Sequence, residues 1–252
     1  MVFGRTKRRI LQQLQTNNEL LRLLLDAAGS RLIISDDQVR QARITGSQAL
    51  LRITSPGNTC HGTGFFISDD GYLLTARHVI KGANNTEEGN CDATIVGGAR
   101  VTCRHVQDIT GLDLAILKVD HPTPFVFLEP ENAFVEDTSV AVIGFGLNDA
   151  APGMVHVPNL TTGHISARRM TTGGLNAADQ LCTANINMGV SGGPVMAIQS
   201  RRFVGVVFSL DRMYSQDQGQ ARFYVTTQHS DQWQVIQDHI DHDRRTVTDR
   251  AS

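Results

Sequence analysis

The feature that most constrains the fold is a long series of short apolar runs between residues 40 and 228. These runs are rich in Val, Ile, Leu, Thr and Phe, and turn residues such as Asp69-Asp70-Gly71 separate them; examples are residues 49–53, 72–75, 114–119, 140–143 and 203–208. Many short strands at close spacing, without long helices between them, are typical of a sandwich or barrel rather than of a parallel α/β sheet. We therefore expect an all-β fold.

Helices are predicted on both sides of this β region. Apolar residues in 1–28 follow a 3.6-residue period, and Gly29 is a plausible stop. Ser230 can cap a second helix over 230–240, with Trp233, Ile236 and Ile240 on one face. The predicted organisation is an N-terminal amphipathic helix and linker over 1–39, a β domain with its C-terminal helix over 40–240, and a polar, frayed tail over 241–252.

Charge and hydropathy exclude several functions. The chain carries 23 Lys and Arg against 25 Asp and Glu, for a net charge of −2, so nothing indicates a general electrostatic footprint for nucleic acid. No apolar run reaches the ~18 residues that a membrane-spanning helix needs. No signal-peptide core is visible, so the default expectation is a cytoplasmic protein. The basic, acid-free first eighteen residues leave mitochondrial-type targeting open, and leaderless export is a further alternative.

The four cysteines form no C-x-x-C pair and are too few for a disulfide scaffold. We expect buried free thiols at Cys60, Cys91, Cys103 and Cys182. A bridge between Cys91 and Cys103 is the alternative if the protein is exported.

Three places carry the residues of a nucleophilic site. His78 directly follows a predicted strand, Asp113 enters an apolar run, and Ser191 lies among glycines in the sequence GVSGGP. A hydroxyl nucleophile needs a base, and the base needs a third group that fixes its tautomer and stabilises its cation. Glycines beside the serine allow backbone N–H groups to turn inward as an oxyanion hole. The chain order His, Asp, Ser is one of the three orders known for this constellation.

The sequence stretches GTGFFISDDGYLLTARHVIKGA, DITGLDLAILKV, GHISARR and ANINMGVSGGPV resemble the chymotrypsin-fold serine proteases, most closely the high-temperature-requirement (Deg-type) branch. The resemblance covers residues 45 to 228. It implies two perpendicular six-stranded β-barrels, at about 45–125 and 135–228, with the active site in the cleft between them. Too few residues follow Thr227 for the PDZ domain of Deg-type enzymes, so we expect a protease domain without one.

The resemblance also implies roles for individual residues. Ser191 would be the nucleophile, His78 the general base and acid, and Asp113 the group that orients His78, while the N–H groups of Gly189 and Ser191 would bind the oxyanion. The substrate pocket would have Asn185 at its floor and would be lined by Phe208, Ser209 and Leu210. The implied activity is that of a serine endopeptidase that forms an acyl-enzyme on Ser191 and needs neither a metal nor an organic cofactor.

Substrates and partners follow less directly. The expected substrates are proteins or peptides, and because Asn185 is not a carboxylate we expect small or medium apolar side chains to be preferred over Lys or Arg. A non-catalytic module of the same fold, which holds a peptide or partner without cutting it, is the alternative function. A third interpretation gives the helix within 1–28 the main role, as a docking element for a partner or for a homo-oligomer.

Overall fold

The computed structural model describes residues 34–55, 61–81, 90–122, 124–146, 157–170, 178–212 and 218–251. Its core is a pair of closed barrels, each with six antiparallel strands. The first contains β1 (Leu50–Thr54), β2 (His61–Phe66), β3 (Tyr72–Thr75), β4 (Cys91–Ile95), β5 (Arg100–Asp108) and β6 (Ala115–Lys118). The second contains β7 (Ser139–Gly144), β8 (Asn159–Met170), β9 (Ala178–Asn187), β10 (Pro194–Ala197), β11 (Phe203–Arg212) and β12 (Gln218–Val225).

Both barrels have the same strand order. It is β1-β2-β3-β6-β5-β4 in the first and β7-β8-β9-β12-β11-β10 in the second. The predicted all-β fold of two six-stranded barrels flanked by helices is confirmed. The predicted helix within residues 1–28 lies outside the described residues.

Alternate residues of the central strands pack into two different cores. On β1, Leu51 points into the first barrel while Leu50 belongs to a larger cluster that joins the two barrels. On β3, Leu73 packs in the core of the first barrel and Leu74 in the larger cluster. Because successive strand side chains point to opposite faces, a strand with both faces buried is apolar throughout. This explains why the sequence shows continuous apolar runs rather than alternation.

A helix that was not predicted precedes the first barrel. It is α1 (Asp36–Gln48), and it crosses the expected boundary between residues 39 and 40. Ser35 and Gln38 form a reciprocal capping box at its start, a signal that is visible in the sequence S-D-D-Q. A Cβ at Gly46 would lie 2.3 Å from Ile143 Cδ1, so the helix packs closely on the second barrel.

The C-terminal helix is longer than predicted. A short helix, α2 (Arg77–Lys81), follows β3, and the chain ends in α3 (Asp231–Ala251). The expected end at residue 240 and the frayed tail from 241 are therefore wrong: side chains of the first barrel hold Asp243 and Arg244, which stabilises the helix beyond residue 240. No helix among the described residues is long and apolar enough to cross a membrane.

Candidate active site

His78 and Asp113 are brought together by the pairing of β3 with β6. Thr75, at the end of β3, lies opposite Ala115, at the start of β6. His78 follows β3 in the first turn of α2, and Asp113 precedes β6, so both residues emerge at the same edge of the first barrel. The amide of Arg77 also donates to the Asp113 carbonyl, at 3.3 Å, which ties the two segments together.

Both carboxylate oxygens of Asp113 contact His78. Oδ1 accepts the backbone N–H of His78 at 2.8 Å, and Oδ2 lies 2.5 Å from the ring Nδ1. A ring that donates Nδ1–H to a carboxylate keeps its lone pair on Nε2, which is then the basic atom. The His78 side chain is 44% exposed, so a substrate can approach it.

Helix α2, which carries His78, is fixed by charges around Asp108 at the end of β5. The Asp108 carboxylate lies 2.9 Å from Lys81 Nζ, 3.0 Å from His105 Nε2 and 3.7 Å from Arg77 Nε. Burial raises the pKa of Asp108, but the hydrogen bonds from Lys81 and His105 outweigh it and hold that pKa below its usual value. The anionic carboxylate therefore anchors α2 on the barrel.

Ser191 lies in the tight loop between β9 and β10. Its carbonyl accepts the amide of Thr63 at 2.8 Å, a main-chain bond that crosses from the first barrel to the second. The next residue, Gly192, has φ +87, and a Cβ there would lie 2.0 Å from Thr63 O and 2.9 Å from Ala76 N. Only glycine fits this position. Because Ala76 directly follows β3, the contact brings the Ser191 loop against the segment that leads into His78.

Ser191, the candidate nucleophile, lies on a loop that packs against the segment leading into His78, the candidate base. Across the ranges that the structure describes, no hydrogen bond joins Ser191 Oγ to His78. Such a bond is often long or poorly aligned without substrate and tightens in the complex. The contact between His78 and Asp113 is thus formed in this structure, and the loop of Ser191 lies against the segment that precedes His78.

The backbone before Ser191 carries the candidate oxyanion donors, the N–H groups of Gly189 and Ser191. Gly189 has φ +96, within a turn in which Val190 N lies 3.5 Å from Asn187 O. The Gly189 carbonyl accepts a hydrogen bond from the Thr63 hydroxyl at 3.0 Å. Within the described part of the chain, neither Gly189 N–H nor Ser191 N–H donates to a protein group. Two neighbouring N–H groups without a protein acceptor match the pair of donors that an oxyanion hole requires.

A scan against family models finds the "Trypsin-like peptidase domain" over residues 62–206, a span that contains His78, Asp113 and Ser191. The chain belongs to the trypsin-like peptidase family. The resemblance to its Deg-type branch is also confirmed by relatives among curated proteins and by solved structures.

Two relatives illustrate this. The chain is 35% identical over 151 residues to "Probable periplasmic serine endoprotease DegP-like" of Rhizobium meliloti (strain 1021), covering 58% of this chain and 27% of the relative. It is 34% identical over 152 residues to "Magnetosome formation protease MamE" of Paramagnetospirillum magneticum (strain ATCC 700264 / AMB-1). That match covers 58% of this chain and 19% of the relative. The match thus spans roughly a quarter or less of these proteins.

Solved trypsin-like structures share the fold. "HtrA-type protease AlgW with decapeptide" superposes with a TM-score of 0.61 at 22% identity, covering 81% of this chain and 67% of that one. "Crystal structure of the serine endoprotease from Yersinia pestis" superposes with a TM-score of 0.57 at 26% identity, covering 76% of this chain and 63% of that one.

The expectation of a cytoplasmic location is wrong. Relatives in several organisms carry the word periplasmic in their names, and MamE is named for magnetosome formation. The expectation rested on the lack of a visible leader, which says nothing about where a trypsin-like domain of this type works.

The predicted substrate-pocket residues lie on two strands, β9 and β11, which both pair with β12. Asn185 is exposed on β9 and pairs with Gln220 of β12. Phe208 is half-buried at an irregularity of β11, and Ser209, also half-buried, pairs with Arg222. The backbone of Leu210 continues β11; its side chain is not among those described.

Two residues at this site were missed by the sequence analysis. Tyr224 of β12 accepts the Asp113 amide on its hydroxyl at 3.3 Å and stacks on Phe208 at a ring distance of 4.0 Å. Thr63 of β2 contacts the Ser191 loop through both its backbone and its hydroxyl. Nothing in the sequence marks either one, because both act across the interface between the barrels. The described residues contain no cluster of three metal-ligating side chains.

Proposed function

We propose that this chain is a serine endopeptidase whose catalytic residues are His78, Asp113 and Ser191. The observation that carries the proposal is the two-oxygen contact of Asp113 with His78, at an edge that also receives the Ser191 loop. Membership of the trypsin-like family and the protease names of the relatives support it.

The reaction uses each group in turn. Ser191 Oγ attacks the scissile carbonyl carbon while His78 Nε2 takes the hydroxyl proton, and Asp113 stabilises the resulting imidazolium. The N–H groups of Gly189 and Ser191 hold the oxyanion. Collapse of the tetrahedral intermediate breaks the C–N bond, and the leaving amine takes the proton from His78. Water, deprotonated by His78, then attacks the acyl-enzyme ester, which releases the acid and restores Ser191.

A fluorophosphonate probe tests this mechanism because it reacts with activated serines. We expect wild-type protein to be labelled and Ser191→Ala to be unlabelled, with cleavage of fluorescent casein lost in parallel. Ser200→Ala, at an exposed serine in the turn before β11, is the matched control and should label like wild type. Equal labelling of wild type and Ser191→Ala would refute the proposal. Absent labelling together with tight casein binding would favour the non-catalytic module.

We also propose that the protein works outside the cytoplasm, on protein or peptide substrates. The periplasmic and magnetosome names of its relatives support this location. Fractionation of cells that express the native gene, with a cytoplasmic and a periplasmic marker enzyme followed alongside, tests the location. Recovery of the protein with the cytoplasmic marker alone would contradict it.

A further inference from the structure

A buried threonine links the first barrel to the loop that carries the proposed oxyanion donors. Thr63 lies on β2 and is 0% exposed. Its hydroxyl donates to Gly189 O at 3.0 Å and accepts from the amide of Phe145, just after β7, at 2.9 Å. Its own amide donates to Ser191 O at 2.8 Å, and its carbonyl accepts the Thr75 hydroxyl at 2.8 Å. Every polar atom of Thr63 is therefore hydrogen-bonded.

The loop needs such an external contact. A glycine such as Gly189 rotates about its backbone bonds at little cost, so the peptide that presents its N–H can turn over easily. The hydrogen bond within the turn, from Val190 N to Asn187 O, is 3.5 Å long, beyond the usual range for N–H···O bonds. The turn by itself therefore holds the Gly189 amide only weakly.

Thr63 contacts both ends of the segment from Gly189 to Ser191. The peptide between Gly189 and Val190 is held at its carbonyl by the Thr63 hydroxyl and at its N–H by Asn187. With that plane fixed, the positive φ of Gly189, +96, sets the orientation of the preceding peptide, whose N–H is the proposed oxyanion donor. At the other end, the Thr63 amide fixes the carbonyl of Ser191.

The surroundings of the hydroxyl allow little movement. A Cβ added to Gly144 would lie 2.8 Å from Thr63 Oγ1 and 2.9 Å from a methyl group of Val190. The hydroxyl thus occupies a close-packed space between β7 and the loop, where no other group can easily take over its two hydrogen bonds.

We propose that Thr63 is a positioning residue that keeps the Gly189–Ser191 segment in the orientation that binds an oxyanion. The inference rests on the proposed function, since it assigns Thr63 to the same site. Thr63 acts through the loop and does not touch the reacting atoms. Its loss should therefore slow the chemical step more than it weakens substrate binding.

The variant that tests this is Thr63→Val, which keeps the shape of the side chain and removes the hydroxyl. Loss of an oxyanion donor itself typically costs ~10²–10³ in rate, and we expect a smaller loss of about 10–100-fold in kcat on fluorescent casein, with KM changed less than about twofold. The second-order rate of fluorophosphonate labelling at Ser191 should fall in parallel. Thr63→Ser, which retains the hydroxyl, should recover most of both rates.

Tyr72→Phe is the control for a purely structural effect. It also removes a buried hydroxyl with a hydrogen bond, to Asp243 at 2.9 Å, but its partner lies on α3 rather than in the Ser191 loop. We expect a lower melting temperature for Tyr72→Phe with labelling at the wild-type rate. If Thr63→Val and Tyr72→Phe lose the same fraction of activity, or if both lose it only near their melting temperatures, the positioning role is refuted.

Two outcomes separate this inference from the proposed function. If wild type is labelled at Ser191 and folded Thr63→Val is labelled equally fast, the endopeptidase mechanism survives and the role of Thr63 fails. If wild type is not labelled at Ser191, the mechanism itself fails. Should Thr63→Val not fold, Thr63→Cys replaces it, because a thiol is a weaker donor and acceptor. Thr63→Cys should then label more slowly than Thr63→Ser, and equal rates would refute the role.

Discussion

The carboxylate of Asp243, on the helix that follows the second barrel, accepts two hydrogen bonds from the guanidinium of Arg104 in the first barrel, at 3.1 and 2.8 Å. The same carboxylate accepts the Tyr72 hydroxyl at 2.9 Å, and the next residue, Arg244, pairs with Asp70. Helix α3 therefore leaves one barrel and is fastened to the other. Because the proposed active site lies where the barrels meet, this attachment stabilises the arrangement on which that site depends.

Removal of the Asp243 carboxylate should destabilise the whole domain. Asp243→Ala leaves the partly buried Arg104 and the buried Tyr72 hydroxyl without their acceptor, at a cost of about 1–3 kcal/mol. For a domain of this size we expect the melting temperature to fall by about 3–10 °C in calorimetry. Asp241→Ala, at an exposed residue whose ion-pair partner among the described residues is Arg244 of the same helix, should change it by about 1 °C or less. Equal shifts for both variants would contradict the role of α3.

The Asp243 contribution should depend on pH. Hydrogen bonds from Arg104 outweigh partial burial and hold the pKa of Asp243 below its usual value. A carboxylate with a lowered folded-state pKa adds stability that is fully present above the unfolded pKa of about 3.9 and is lost as pH falls through the folded value. The difference in unfolding free energy between wild type and Asp243→Asn, from urea titrations, should be constant from pH 5 to 7 and shrink below pH 4. A difference that grows on acidification would contradict this assignment.

Two glycines with positive φ should respond very differently to alanine. Gly192→Ala would place a Cβ 2.0 Å from Thr63 O, so the Ser191 loop must move. We expect fluorophosphonate labelling to slow by about 10²-fold or more, comparable to loss of an oxyanion donor. Gly97→Ala, at φ +108 with no atom within 4 Å of the added Cβ, should cost about 1–2 kcal/mol in backbone strain and leave the labelling rate unchanged. Fast labelling of Gly192→Ala would refute the loop geometry.

The thiols in the barrels should be unreactive in the native protein. Cys91, Cys103 and Cys182 are buried, and burial raises the pKa of Cys182 to about 11. Cys91 lies directly opposite Cys103 on β4 and β5, and a side-chain hydrogen bond between them, with burial, raises the pKa of Cys103 as well. In a Cys60→Ser background, we expect a thiol reagent to modify no cysteine in the native protein and three cysteines after denaturation. If only one reactive thiol appears after denaturation without reductant, Cys91 and Cys103 form a disulfide bridge, which was the alternative expectation.

A carboxylate at the proposed pocket floor should change the cleavage preference. Asn185→Asp adds a negative charge on the β9–β12 pair, beside the strand that carries Phe208. We expect cleavage after Lys or Arg to rise by up to about fivefold relative to apolar residues in a peptide-library digest, because a charge pair at an exposed position adds up to about 1 kcal/mol. Gln220→Glu, at the paired position on β12, is the matched control for added charge. No change in the peptide profile of Asn185→Asp would remove Asn185 from the pocket.

Local signals in the sequence predicted the all-β class and the candidate triad because each depends on neighbours in the chain, whereas the two six-stranded barrels were implied by the family resemblance. His78 and Asp113 adjoin β3 and β6, which pair directly, so their meeting follows from strand order. Helix α1 was missed although Ser35 and Gln38 carry its start signal. The last turns of α3 could not be predicted, since a polar stretch of sequence gives no sign of partners more than a hundred residues away, such as Arg104.

The sequence by itself determined the class of fold, the order of the proposed catalytic residues and the glycines that let the chain turn beside Ser191. The tertiary structure alone decided which groups support them: the Tyr224 hydroxyl against Asp113, and Thr63 against the loop of Ser191. The physical reason is that hydrophobic periodicity and turn chemistry act over a few residues. Hydrogen bonds across the barrel interface depend instead on how two separately closed sheets dock, and no local pattern encodes that docking.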